Sequence, residues 1–355
     1  MHKHTYYVGI DLHRDFFVAV AQDETGTEVL KKRYENSIVS VEALVNEFKT
    51  PPMVVVEATR NWMWFIQALQ KRGCTVQLAH PFRTKAIAFA RIKTDSIDAK
   101  TLCDLLRAGL IPQAYIAPVE TLDNREIGRA RISLVHDQTM LKNRIHAIVI
   151  KENLKYAGTD MFGVKGKAWL TQQELTTGAR DVITVYLEQL EKVQESISKV
   201  EELIKQRSSS IPEVKQLQTI PGFGTTTAFL LAAEVGDVKR FTTAKKFASY
   251  FGMVPRLSQS GNHAYYGRIT KLGNPYVRWL LVQAAHRYYR MDKEAKRFVD
   301  RLSFRTGKKK AIVALARKMS VIVYSVLKEN RSYEKRTKET LKVCPVIIPE
   351  NQSLG

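Results

Sequence analysis

The sequence predicts an α/β N-terminal domain, an α-helical coiled-coil segment and a mostly α-helical C-terminal domain. Three observations carry this. Up to about residue 118, apolar runs of period two alternate with runs of helical period in the order βββαβαβα. From Asp123 to about Ser208 apolar residues recur every seven positions instead. From Ile211 onward, apolar helical stretches are separated by turns containing Gly and Pro. With 355 residues, more than one domain is expected. The boundaries read as 1–118, 119–209, 210–338 and a tail, 339–355, without helical or strand period.

Tyr6 to Asp11 alternates, Phe16 to Ala21 follows at once, and the turn Glu24-Thr25-Gly26 leads into Glu28 to Tyr34. Short strands joined by tight turns predict an antiparallel meander. Val41 to Phe48 has helical spacing, and Met53 to Glu57 is a continuous apolar run ending in an acid, as a buried strand would be. Trp62 to Lys71 reads as a helix and Cys74 to Ala79 as another strand. A last helix, headed by Asp95, carries Ala99, Leu102, Cys103, Leu105 and Leu106 on one face and closes at Gly109. This order resembles the ribonuclease-H-like fold, in which a mixed sheet presents acids from strand ends and from a late helix.

In the second segment Ile127, Leu134, Leu141 and Ile148 mark one heptad series. Ile183, Leu190, Ile197 and Ile204 mark another, with Tyr186, Val193 and Val200 at its second seam position. Two long helices broken between Gly158 and Gly166 predict an antiparallel hairpin or a dimer-forming arm; periodicity does not choose between them. In the third segment Ile220-Pro221-Gly222-Phe223-Gly224 joins two helical stretches, as a helix-hairpin-helix-like element does. There Gly222 and Gly224 would let backbone N–H groups approach a phosphate. A tight interhelical turn explains the same residues. A polar loop from Arg256 to Gly267 follows, then apolar helices over Pro275 to Tyr289 and Ile312 to Leu327.

The net charge of +21 and the pI near 9.8 point to a polyanion, nucleic acid before an acidic membrane surface. Arg256 to Glu339 alone carries a net charge of about +15, which makes it the main candidate footprint. Within it Arg256, Arg268, Lys271, Lys308, Lys309 and Lys310 are candidate contacts. No apolar run of about 18 residues exists to span a bilayer, and the N-terminus lacks a signal-peptide pattern. Cys74, Cys103 and Cys344 lack metal-ligand spacing and read as reduced, as in a cytoplasmic protein, and with the positive charge and the missing apolar span the expectation is nucleoid association and no membrane partner.

Asp95 and Asp98 lie one helical turn apart, so their carboxylates share a face. Alone, Asp95 or Thr94 could be the N-cap and Asp98 a complement to the helix dipole. Asp11 and Glu57, however, both end apolar strands, where a carboxylate is costly to desolvate unless paired or metal-bound. Together the four predict a divalent-cation site that could polarise a scissile phosphate. Arg83, Lys85, Arg91 and Lys93 around it would contact backbone phosphates or form a solvated basic loop. Ser260-Gly261 in the polar loop is turn chemistry or, given a polarised electrophile, a nucleophile.

Gly9-Ile10-Asp11, Val56-Glu57-Ala58-Thr59 and Lys93-Thr94-Asp95-Ser96-Ile97-Asp98-Ala99 resemble the acidic quartet of the insertion sequence 110 transposases, relatives of the Piv-type invertases. Pro221-Gly222-Phe223-Gly224, Phe251-Gly252-Met253-Val254-Pro255, Ser260-Gly261 and Ile269-Thr270-Lys271-Leu272-Gly273-Asn274 resemble their C-terminal transposase domain. The resemblance spans residues 5 to about 330 and implies a RuvC-like first domain. It implies Asp11, Glu57, Asp95 and Asp98 as ligands of Mg²⁺ or Mn²⁺ and Ser260 as nucleophile, with Ser258 the alternative. The implied activity is cleavage and rejoining of donor and target DNA, guided by a structured non-coding RNA from the element itself. A long spacer separates the acids from Ser260, so a site shared between protomers of a dimer or tetramer is expected. Rival readings are a Holliday-junction-resolvase-like nuclease using water, a non-enzymatic nucleic-acid scaffold, and a tyrosine nucleophile at Tyr265 or Tyr266. His2-Lys3-His4, a further metal-pair candidate, sits at the terminus.

Overall fold

The computed structural model describes residues 5–88, 94–260 and 263–334, with the backbone alone at 260, 263 and 264. Two compact units divide the chain, one ending at Ile116 and one beginning at Ala117. The first is mixed α/β and the second mostly helical. No described helix is long and apolar enough to cross a membrane.

In the first unit β1 (Tyr6–Leu12), β2 (Phe16–Asp23) and β3 (Glu28–Glu35) form the expected antiparallel meander. The strands β4 (Met53–Glu57) and β5 (Thr75–Ala79) add in parallel on the free side of β1, giving the order β3-β2-β1-β4-β5. A parallel return needs a crossover, and α1 (Ile38–Asn46) and α2 (Trp62–Gln70) supply the two. Strand alternation then assigns the faces. Val8, Ile10, Leu12, Val54 and Val56 pack with Leu44, Phe65 and Leu69 on one side. Gly9, Asp11, Val55 and Glu57 belong to the other side, which α4 (Asp95–Arg107) covers through Ala99, Leu102, Leu105 and Leu106. A short helix, α3 (Pro81–Ile87), lies where the sequence suggested only a basic loop; Pro81 opens it, with its φ already set for a helix.

In the second unit α5 (Val119–Lys151) and α7 (Thr177–Ser208) pack antiparallel, with α6 (Val164–Gln172) between them in sequence. Arg131 pairs with Glu201 at one end of the pair, and Thr176 bonds to Glu152 at the other. The seven-residue spacing survives on α7 at Ile183, Leu190 and Ile204. On α5 it shifts after Leu141 to Ile145 and Val149, because Met161 and Leu170 from the connection pack there as well. Then follow α8 (Pro212–Gln218), α9 (Thr225–Val235), α10 (Ala244–Tyr250), α11 (Pro275–Met291), α12 (Lys293–Thr306) and α13 (Lys308–Lys328), around a core that includes Phe229, Phe247, Phe251, Leu281 and Met319.

The expected polar loop at 256–267 is instead an antiparallel hairpin, β6 (Pro255–Ser260) with β7 (His263–Ile269), in which Ser258 pairs with Tyr265 and Ser260 with His263. Its side chains at 256–259 and 265–268 are all exposed. With neither face buried, no hydrophobic alternation marks it in the sequence.

Candidate metal centre and nucleic-acid interface

The acid cluster is built by one close approach. A Cβ on Gly9 would lie 2.1 Å from the Ala99 carbonyl oxygen and 2.5 Å from the Cys103 nitrogen, so only glycine lets α4 settle on β1. Cys103 Sγ bonds to the Tyr7 carbonyl at 3.1 Å, and Gln22 reaches Asp104 at 2.6 Å from β2. Held this way, α4 directs its first turn to the C-terminal end of β1.

Thr94 caps α4, its hydroxyl accepting from the Ile97 N–H at 3.3 Å. Asp95 is therefore not needed as the cap. Its carboxylate lies 3.5 Å from His13 Nε2, and that same nitrogen lies 3.0 Å from Asp11 Oδ2. Asp11, His13 and Asp95 offer ligand atoms that all fall within 4.8 Å of one another. Asp11 is only 9% exposed, and burial pushes its carboxyl up from the ordinary carboxylate value. His13 opposes that shift, while the charges of Asp98 and Asp95 add to it. Glu57 completes the setting by register. It follows Val56, the residue paired with Ile10, just as Asp11 follows Ile10 on the neighbouring parallel strand. Both acids thus end adjacent strands on the α4 face.

This donor set suits a divalent cation. Carboxylate oxygens of Asp11 and Asp95 and a ring nitrogen of His13 converge on a partly buried point, where the charges of Asp95 and Asp98 repel that of Asp11. A cation there would relieve both the desolvation of Asp11 and its repulsion from Asp95 and Asp98.

His13 is the residue that sequence reasoning missed. It stands just past β1, two residues beyond Asp11, which returns it to the same face. Its carbonyl accepts from Asn61 at 2.7 Å and from Asn36 at 3.0 Å. Its ring stacks on Phe16 with centroids 4.5 Å apart, and Arg33 covers the far face of Phe16. Thr59, in the Glu57 motif, bonds Asn61 at 3.0 Å and so links the two acidic motifs.

The basic candidates divide. Arg83 and Lys85 are exposed on α3; Arg91 and Lys93 lie outside the described residues, as do His2-Lys3-His4 and the tail from 335. Arg256, Arg268 and Lys271 are exposed on or just beyond the hairpin, and Lys308, Lys309 and Lys310 form the exposed first turn of α13. That turn holds no acid, so three cations sit at the positive end of a helix dipole, which a bound phosphate would relieve. Gly222 is needed for packing: its φ is +91° and an added Cβ would meet the Ala284 carbonyl at 2.9 Å. Gly224 is the N-cap of α9, and a Cβ added there would meet nothing within 4 Å, so close packing does not require glycine at this position.

Ser260 is the last residue of β6. The hairpin is anchored at its foot by a network around the buried Glu234. Glu234 on α9 accepts from Arg129 at 2.7 and 3.0 Å and from Asn274 at 2.6 Å. Asn274 caps α11, and Arg278 one turn on donates to the carbonyls of Phe251 and Gly273, each at 3.0 Å.

A mixed sheet gathering carboxylates at the ends of adjacent parallel strands, followed by a strongly basic helical unit, defines a protein class built to handle polyanions. Comparison with known proteins names the family. Residues 8–151 match the DEDD transposase model of IS110 elements, and residues 214–300 match the model described as Transposase IS116/IS110/IS902 family. The chain is similar to the transposase for insertion sequence element IS1111A of Coxiella burnetii, 26% identical over 92% of this chain and 90% of that one. It is also similar to the transposase for IS1328 of Yersinia enterocolitica, 26% identical over 92% and 98%. A shorter match, 34% identical over 41% of this chain and 47% of its relative, is to the pilin gene-inverting protein of Moraxella bovis. The chain belongs to the IS110/IS116/IS902 transposase family.

Proposed function

We propose that the protein is a DNA-cleaving and rejoining transposase whose first unit is a ribonuclease-H-like, RuvC-like domain. In this reading Asp11, Glu57, Asp95 and Asp98 hold Mg²⁺ or Mn²⁺. The single observation that carries it is the approach of Asp95 and Asp98, on the first turn of α4, to the buried Asp11 at the end of β1. The strand order β3-β2-β1-β4-β5 supports it. A bound divalent ion supplies charge neutralisation at the scissile phosphate. The four carboxylates place that charge, and the exposed lysines and arginines of the second unit hold the DNA backbone.

The nucleophile in this proposal is Ser260. Its hydroxyl oxygen bonds to phosphorus, the bridging deoxyribose oxygen leaves with a proton, and a DNA–protein ester preserves the bond energy. Attack by another strand's hydroxyl on that ester frees Ser260 and rejoins the DNA. A hairpin exposed on both sides supports this role, since it can enter a DNA-bound site without unpacking a core. Because the acids and Ser260 belong to different compact units, we place the acids of one protomer with the serine of another in a dimer or tetramer. Guidance by an RNA of the same element fits a basic surface of this extent.

The deciding experiment is trapping on DNA. A denaturation-resistant protein–DNA adduct should form with the natural sequence and with Ser258→Ala, and be lost in Ser260→Ala. Cleavage without any adduct would point to water as the nucleophile. Mixing Asp11→Asn chains with Ser260→Ala chains should restore strand exchange; failure to do so would refute the shared site. Sequencing of co-purifying nucleic acid tests the guide: RNA from the flanks of the gene is expected, and DNA alone would refute it.

A further inference from the structure

The four acids leave out one side chain that sits among them. We infer that His13 is itself a ligand of the metal centre, and that its nitrogen biases the centre toward Mn²⁺-like transition ions over Mg²⁺. This rests on the reading that Asp11 and Asp95 hold a divalent cation.

Three observations point the same way. The first is spacing. Donors sharing an octahedral ion at about 2.1 Å lie ~3 Å apart when adjacent and ~4 Å apart when opposite. His13 Nε2 lies 3.0 Å from Asp11 Oδ2 and 3.5 Å from Asp95 Oδ1, close to the adjacent-donor distance. The second is direction. Nε2 faces the carboxylates because the ring is clamped flat against Phe16, at 25° between planes, with Arg33 stacked behind it. The third is rigidity. The His13 carbonyl is bonded by both Asn36 and Asn61, and its N–H donates to the Phe16 carbonyl at 2.9 Å. A histidine needed only to fill space would not require its main chain fixed on three sides, whereas a ligand holds its ion only if supporting groups fix it.

The consequence for metal choice follows from donor chemistry. Mg²⁺ strongly prefers oxygen and gives up its water reluctantly, while imidazole adds affinity for first-row transition ions. An all-carboxylate centre would discriminate little between Mg²⁺ and Mn²⁺. One imidazole tilts the balance to Mn²⁺.

Pulsed electron paramagnetic resonance of Mn²⁺ bound to the full-length, nucleic-acid-free chain tests this directly. A ¹⁴N coupling of imidazole type is expected, replaced by a ¹⁵N coupling when the histidines are isotope-labelled, and absent in His13→Ala. Calorimetric affinities should show Mn²⁺ weakened roughly ten- to a hundredfold in His13→Ala, the range found when a group supporting a metal site is removed. Mg²⁺ should be weakened less. His13→Asp keeps a donor at the position, so it should bind both ions, lose the nitrogen coupling and shift preference toward Mg²⁺. Thermal melting of each variant separates loss of the ligand from loss of the fold. Mn²⁺ that binds in an Asp11-dependent way without any nitrogen coupling would overturn the role of His13 and leave the acid centre standing. No Asp11-dependent binding of either ion would overturn the acid centre as well.

Discussion

The two regions that matter here are held in opposite ways. The acid cluster is fixed by burial: Asp11 and its strand lie under α4, and the helix reaches them only because Gly9 has no side chain. The hairpin bearing Ser260 is held at its foot by Glu234, Asn274 and Arg278, while its side chains at 256–259 and 265–268 stand in solvent. An isolated two-stranded hairpin is marginal in water, so this one depends on its base or on what it meets. This contrast matches the roles proposed for them, a rigid acid centre and an exposed hairpin that carries Ser260.

That contrast can be broken at the foot of the hairpin, where the largest effect is expected. Glu234→Ala leaves Arg129 and Arg125 without their buried counter-charge and should cost about 3 kcal/mol or more. Chemical denaturation should show this as a lower midpoint, with Asn274→Ala showing a smaller loss. Gly9→Val tests the other region. Forcing a branched side chain against the Ala99 carbonyl should cost roughly 2–3 kcal/mol and pull Asp95 away from Asp11, so divalent-ion binding should fall even where the fold survives. If Gly9→Val bound metal normally, close packing of α4 would not be what places the acids.

A smaller effect sharpens the comparison in the opposite sense. Burial raises the Asp11 carboxyl, so the folded chain accepts that proton before the unfolded chain does. The penalty is therefore full at neutral pH and fades as pH falls through the raised value toward the unfolded one. Asp11→Asn should thus stabilise the metal-free chain slightly at neutral pH, lose that advantage in acid, and abolish stabilisation by added divalent ions. Melting curves with and without the ion, at two pH values, check all three. Smallest of all, Tyr265→Ala and Tyr266→Ala should change stability by no more than about 0.5 kcal/mol, because both side chains are exposed. Weakened binding of single-stranded DNA in either variant would mark a stacking surface there.

Much of the first unit was legible because a buried strand writes itself as an apolar run. An acid closing such a run, as at Asp11 and Glu57, stands out against it. His13 was not legible, since it lies in the turn beyond the strand and one histidine after Asp-Leu carries no pattern. The only available signal was its offset of two from Asp11. The hairpin at 255–269 was hidden for another reason: strands exposed on both faces lack alternation, and only the Gly261-Asn262 pair between two extended runs hinted at a turn.

The sequence by itself determined the βββαβαβα order of the first unit apart from the short α3, the excess of positive charge and the four acidic positions, because periodicity, net charge and residue type are local properties of the chain. Only the tertiary structure decided that α4 meets β1 at Gly9, that Thr94 rather than Asp95 caps that helix, and that His13 joins Asp11 and Asp95. Those outcomes depend on which backbones approach within a few ångströms, and side chains far apart along the chain set that distance together.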